Sequence, residues 1–229
     1  MSNESFLMVD AAISGRHSIR AFRPDAVPPE LIRHILEVAA CAPTGCNLQP
    51  WRVRVLTEAA LERVIDAVCH AFDHEADQHL SEFQHSLAQY FEPYQARRRA
   101  MGFALYALAG IEKGDKERMR LQHRRNFEFF GAPVGLLFTV HRDLPAASLI
   151  GYGAFLQNLM VSAQGHGLAT CFQTGWCDFH RVLANELGFD NDEMLLGGMA
   201  LGYADSEAPV NSLRTERVPP SGFATLLQA

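Results

Sequence analysis

Cysteine is sparse in this 229-residue chain and poorly placed for cross-linking, with only five copies. They are Cys41, Cys46, Cys69, Cys171 and Cys177, an odd set without tight spacing, which argues against a disulfide framework. No C-x2-C pair occurs and the ten histidines are scattered, so no metal site is expected. Cys41 and Cys46 resemble a pair, but buried free thiols are the expectation. Positive charge is also short: 20 Lys+Arg against 26 Asp+Glu leave a net −6. That balance argues against a nucleic-acid partner, whose phosphates call for a basic face. No apolar run approaches the roughly 20 residues needed to span a bilayer. Met1–Ser5 is polar and lacks the cationic and apolar regions of a signal peptide, so no membrane association and a cytoplasmic location are expected.

Familiar catalytic signatures are missing too. There is no G-x-G-x-x-G after a strand, no P-loop, no H-E-x-x-H and no G-x-S-x-G. No pair of carboxylates stands out for acid–base work. The composition, 48% hydrophobic and 20% charged, is that of an ordinary soluble globular protein. Its length suits one large domain or two small ones. No repeat, linker or low-complexity segment divides it, and one domain over 1–229 is the simplest reading.

What the sequence does contain is concentrated in a few stretches. Ala42-Pro43-Thr44-Gly45-Cys46-Asn47-Leu48-Gln49-Pro50-Trp51 joins a helical pattern to a strand pattern. Its two prolines fix φ and donate no backbone hydrogen bond, which makes a rigid loop. Gly45 permits close approach to a ligand, and Thr44, Asn47 and Gln49 offer short polar groups. The loop is either a ligand wall or an ordinary connection. Arg16, Ser18 and Arg20 share one parity and would point the same way in an extended segment. Two guanidiniums flanking a hydroxyl can grip a phosphate, or simply form a solvated strand face.

The remaining elements follow from periodicity. Phe6–Ile13 reads as a short helix with Phe6, Val9, Ala12 and Ile13 on one side, stopping near Ser14-Gly15. Ile32, Ile35, Leu36 and Ala39 form a core-facing helical stripe after Pro28-Pro29. Strands are expected at 51–57, 133–140, 168–173 and 194–201. Thr57 caps a helix that turns Leu61, Val64, Ile65 and Val68 inward. Asp178 is expected to cap a helix running to Leu187. Ser148–Gly165 is apolar nearly all round, as befits a core helix or a subunit interface, with Gly151, Gly153 and Ala154 admitting another helix. Residues 70–130 read as a helical excursion with breaks near Pro93 and Gly114, either an aromatic lid or a peripheral helical pair. Arg97-Arg98-Arg99 is read as a solvated charge run.

In combination these stretches resemble the FMN-dependent nitroreductase family. The resemblance is carried by Arg16-His-Ser-Ile-Arg20, Ala42-Pro-Thr-Gly-Cys-Asn-Leu-Gln-Pro-Trp51, Leu159-Met-Val-Ser-Ala-Gln-Gly-His-Gly-Leu168, Leu201-Gly-Tyr203 and Arg217-Val-Pro219. It covers both ends of the chain and fades over 70–130. It implies an α+β three-layer fold, with a central mixed or antiparallel sheet flanked by helices, assembled as an intertwined homodimer with FMN at the subunit interface. On this resemblance Arg16, His17, Ser18 and Arg20 bind the FMN phosphate, ribityl chain and pyrimidine edge. Pro43, Thr44, Gly45 and Asn47 come from the partner subunit. Thr174 and Gly175 stand where the family places a backbone N–H beside flavin N5, and Arg217 with Arg214 completes the phosphate clamp. His17 stands where many relatives have a second arginine. The implied activity passes hydride from NADH or NADPH, through flavin N5, to nitroaromatic, quinone or similar acceptors by ping-pong kinetics, without a catalytic side chain. Flavin-fragmenting, dehalogenating or dehydrogenating enzymes of the family, and a non-catalytic flavin-binding protein, are the alternatives.

Overall fold

A computed structural model describes residues 3–227, with side chains from residue 8 onward. The expectations for the polar start at Met1 and Ser2 and for the Phe6 side chain lie outside what is described. Seven helices and four strands follow one another as α1 (Asn3–Gly15), α2 (Pro29–Ala39), β1 (Arg52–Thr57), α3 (Glu58–His74), α4 (Tyr94–Leu108), α5 (Lys116–Arg124), β2 (Val134–His141), α6 (Ser148–Gly165), β3 (Ala169–Gln173), α7 (His180–Leu187) and β4 (Glu193–Gly202) among the described residues.

The strands form a sheet of order β1-β2-β4-β3, antiparallel at each pairing. A parallel bridge from Ser18 to Thr170 adds the segment after α1 to the β3 edge, so the sheet is mixed there. β2 is apolar without alternation because helices cover both of its faces. Leu136, Phe138 and Val140 meet α2 and α6 through Ile32, Ile35, Phe155 and Leu159, while Leu137 meets α3 and the aromatic layer of Phe127, Phe129 and Trp176. The helix–sheet–helix layering and α+β class expected from the resemblance are thus present.

Most predicted elements lie within a residue or two of their expected bounds. Two caps differ. Thr57 occupies the N-cap position of α3 but makes no side-chain cap bond, and α7 begins after Phe179. Asp178 instead lies in a 3-10 turn, where His85 Nε2 sits 2.9 Å from its Oδ1. That pairing ties the 79–93 segment to the core. α4 starts directly after Pro93, and the chain turns at Gly114 before α5, as the sequence breaks indicate. In the charge run, Arg98 lies 4.8 Å over the Tyr90 ring and Arg97 5.8 Å over Tyr94. No helix among the described residues is long and apolar enough to cross a membrane.

On α6, Tyr152, Phe155, Leu159 and Ala163 are buried but Ile150 is 79% exposed. One flank of this apolar helix therefore faces outward in the single chain. Met8, Val9 and Ile13 of α1 are exposed as well, as are Phe223, Leu226 and Leu227 in the tail.

Candidate functional site

After α1 the chain turns along the sheet edge, where Ile19 N–H donates to Thr170 O at 3.1 Å and Phe22 pairs with Ala204. Ile19 and Phe22 bury their side chains and fix the segment's rotation. Arg16 and His17 then open into a cavity of about 450 Å³ that they share with Gln157 of α6 and with Arg214, Thr215 and Arg217 of the C-terminal segment. Strict alternation would have set His17 apart from Arg16. Instead both line the cavity, whereas Ser18 and Arg20 do not, because the segment touches the sheet at isolated bridges rather than as a regular strand.

The electrostatics of this cavity run against the chain's net charge of −6: three arginines line it and no carboxylate does. Arg214 Nη1 donates to Asn211 O at 3.0 Å, and Arg217 Nη1 donates to Thr215 O at 3.0 Å. Their Nε and Nη2 donors meet no protein acceptor among the described residues. Positioned guanidiniums with spare donors form a site for an oxyanion. The His17 ring braces the wall, with Nδ1 3.0 Å from Gly15 O and Nε2 3.2 Å from Asn211 O. Behind it, Cys171 lies close to Ser18 and Arg20, and burial pushes its thiol above the ordinary range. It is not a thiolate nucleophile.

The loop at 42–51 is as rigid as its prolines suggest. Cys46, Asn47 and Gln49 all have left-handed backbones, with φ of 50°, 56° and 46°. Such conformations persist only where surrounding contacts impose them. Here Asn47 N–H donates to Thr44 O at 3.1 Å, Gln49 N–H donates to Thr44 Oγ1 at 3.2 Å, and Trp51 stacks on Phe155 with centroids 4.8 Å apart. The loop seats against α6 at Gly151, where a Cβ would stand 2.8 Å from Thr44 Cγ2 and 2.9 Å from Pro43 O. That glycine admits a loop, not the second helix expected from sequence. Gly153 has nothing within 4 Å of its would-be Cβ. Cys41 and Cys46, expected as buried thiols, are exposed because the loop lies on the surface of the single chain.

Thr44 and Gly45 line a separate cavity of about 150 Å³ together with Leu48, Pro145 and Ser148. Ser148 begins α6 and Gln157 lies beyond its middle, about 13 Å further along at 1.5 Å per residue. The arginine cavity and the loop cavity therefore open at different levels of one helix. A single chain does not bring Arg16 and Arg217 together with Thr44 and Gly45.

Thr174 and Gly175 begin the 3-10 turn Thr174–Phe179 directly after β3. The turn is anchored by Trp176, fully buried and stacked on Phe129 with centroids 4.3 Å apart. Gly198 makes this possible, since a Cβ there would lie 2.5 Å from the indole. Two residues that build the arginine cavity escape sequence reasoning, Gln157 in its lining and Asn211 behind it. Gln157 left a trace, as a polar residue inside an otherwise apolar helix. Asn211 left none, because an asparagine in a Pro-Val-Asn-Ser loop looks like any turn residue.

Comparison with known proteins agrees with this architecture. The Nitroreductase family model matches residues 13–203. A chloronitrobenzene nitroreductase from Comamonas testosteroni is 39% identical over 219 residues, covering 96% of each chain. The FMN and NADPH-dependent nitroreductase NfnB from sphigopyxis sp. strain HMH superposes with a TM-score of 0.93 at 34% identity, covering 96% of this chain and 99% of that one. The FMN-dependent NfnB from Mycobacterium smegmatis, solved in complex with NADPH, superposes with a TM-score of 0.92 at 31% identity, covering 98% and 100%. With the fold, the arginine cavity and these likenesses in agreement, the chain belongs to the nitroreductase family.

Proposed function

We propose that this protein is an FMN-dependent oxidoreductase that takes hydride from NADH or NADPH and reduces nitroaromatic, quinone or similar electron-poor acceptors. The observation that carries the reading is the carboxylate-free cavity lined by Arg16, Arg214 and Arg217. It has the charge, the donors and the room for a phosphate monoester. FMN carries such a group, and the bound flavin would supply the hydride chemistry.

The chain's own residues then have distinct tasks. Arg16, Arg214 and Arg217 neutralise the phosphate, and Ser18 and Arg20 continue the wall toward the ribityl chain and pyrimidine edge. Thr174 and Gly175, held by Trp176, offer backbone N–H groups to the ring edge. Cationic groups and fixed N–H donors favour a reduced, electron-rich ring. Pro43, Thr44, Gly45 and Asn47 wall the ring of the partner subunit's site, because their position along α6 keeps them from their own chain's arginines. The outward Ile150 and the exposed apolar side chains of α1 and of the tail would be covered in that homodimer. α4 packs beside the 209–212 turn at the site's edge and exposes Phe91, Tyr94 and Phe103 around its start and along its length. We assign this excursion the role of acceptor-selecting lid within a single domain.

Anaerobic stopped flow tests the proposal. Purified protein should carry FMN that NADH or NADPH bleaches, and a nitroaromatic should restore the yellow colour in a separate second step. A flavin that binds but stays oxidised with both nicotinamides rejects the enzymatic reading.

A further inference from the structure

We infer that Asn211 is a positioning residue that assembles the two arms of the arginine cavity before any flavin arrives; this rests on the phosphate-site reading above. The arms are far apart in sequence: Arg16–Arg20 follow α1, while Arg214 and Arg217 follow β4. Asn211 joins them through its side-chain amide and its backbone carbonyl. Its Oδ1 accepts from Arg20 N–H at 2.7 Å and Ala21 N–H at 3.2 Å. Its Nδ2 donates to Ala21 O at 2.7 Å and Asp205 O at 2.8 Å. Its backbone O accepts from Arg214 Nη1 at 3.0 Å and faces His17 Nε2 at 3.2 Å.

The chemistry of the amide is specific here. Two neighbouring N–H groups need one acceptor and two carbonyls need one donor group, and only an amide side chain serves both from one planar head. The residue is only 7% exposed, so these bonds are shielded from competing water. Asn211 does not reach into the cavity itself; it acts through Arg20, Arg214 and His17. Guanidiniums held in place beforehand lose less freedom when an anion binds, which raises affinity without a new contact. Of the groups it holds, His17 and Arg214 line the cavity, so the larger benefit falls on the phosphate end of the ligand, and the smaller part, through Arg20, falls on the ribityl chain and pyrimidine edge that FMN and riboflavin share.

Riboflavin, which lacks the phosphate, separates this role from a general structural one. Flavin-free full-length protein is titrated with FMN and with riboflavin, for wild type and Asn211→Ser. The expected result is an FMN Kd raised about 30-fold and a riboflavin Kd raised less than about three-fold, as loss of preorganisation predicts. Equal loss for both flavins, or no loss, overturns the assignment. Wild type that binds neither flavin overturns the flavin-site reading instead. If Asn211→Ser does not fold, amide exchange in wild type decides. Arg20 and Ala21 N–H should be protected without flavin to the degree seen with it, and exchange at loop rates in the flavin-free protein overturns the inference.

Discussion

Gly151 and Thr44 touch so closely that the glycine's missing Cβ would stand 2.8 Å from Thr44 Cγ2. The contact fixes a left-handed loop on the flank of a helix, so one hydrogen atom's width sets the loop's position. Replacing Gly151 by Ala should displace the 43–47 loop at a cost of about 1–3 kcal/mol, the range for overpacking a tight site. Thermal unfolding would fall, and bound flavin would fall with it if this loop walls the partner's site. A Gly151→Ala protein with unchanged melting and full flavin content contradicts the contact.

Ile150, 79% exposed on the outward side of the same helix, offers a cleaner handle on assembly. Ile150→Glu leaves the core of the chain untouched but places a charge where the proposed dimer is dry. Light scattering should find wild type as a dimer and the variant shifted toward monomer, with flavin lost in proportion. A monomeric wild type that retains stoichiometric FMN would falsify the shared site.

Arg16 and Arg217 converge on the cavity from opposite ends of the chain. Each Arg→Ala change removes a charge-assisted contact to the phosphate, worth about 1.5–3 kcal/mol, or roughly 10- to 150-fold in Kd. High salt should weaken FMN retention in wild type more than in the double variant. Equal retention by wild type and both single variants places the phosphate elsewhere.

Acid stability should depend on Glu193, far from this site at the start of β4. Arg54 holds it bidentately at 2.6 Å and Thr139 donates to it, which lowers its carboxyl to about 2 from an ordinary 4.5. A carboxyl depressed in the folded state stabilises fully above its unfolded value, so this contribution is present above about pH 4.5 and lost as pH falls toward 2. Its size is about 3 kcal/mol. Glu193→Gln should melt well below wild type at pH 7, with the gap narrowing below pH 4.5. A gap independent of pH would assign the loss to packing rather than charge.

How far the sequence reaches can be judged residue by residue. Periodicity places α2, α3, α6 and the strands, because burying Ile32, Ile35 and Ala39, or Leu136 and Phe138, imposes a repeat that the residues themselves carry. The prolines and small residues of 42–51 announce a rigid loop by their own backbone limits. The two arms of the arginine cavity are readable as arginine clusters, through family resemblance more than through local chemistry. Other features have no local signature. Asp178 looks like a cap and is instead a partner for His85, since what satisfies a carboxylate depends on which distant group folding delivers. Cys41 and Cys46 look like buried thiols and lie exposed. His17 shares the cavity with Arg16 because the segment meets the sheet only at isolated bridges. Gly151 reads as room for a helix, and only packing shows that a loop fills it. The sequence determined which segments are helix, strand and rigid loop, because those choices follow from the residues' own shape and polarity. Tertiary structure alone decided that Arg16, Gln157, Arg214 and Arg217 face one cavity and that Asn211 binds its walls together. Those are relations between surfaces remote in the chain, and hydrogen bonds across such a span leave no spacing for a sequence to record.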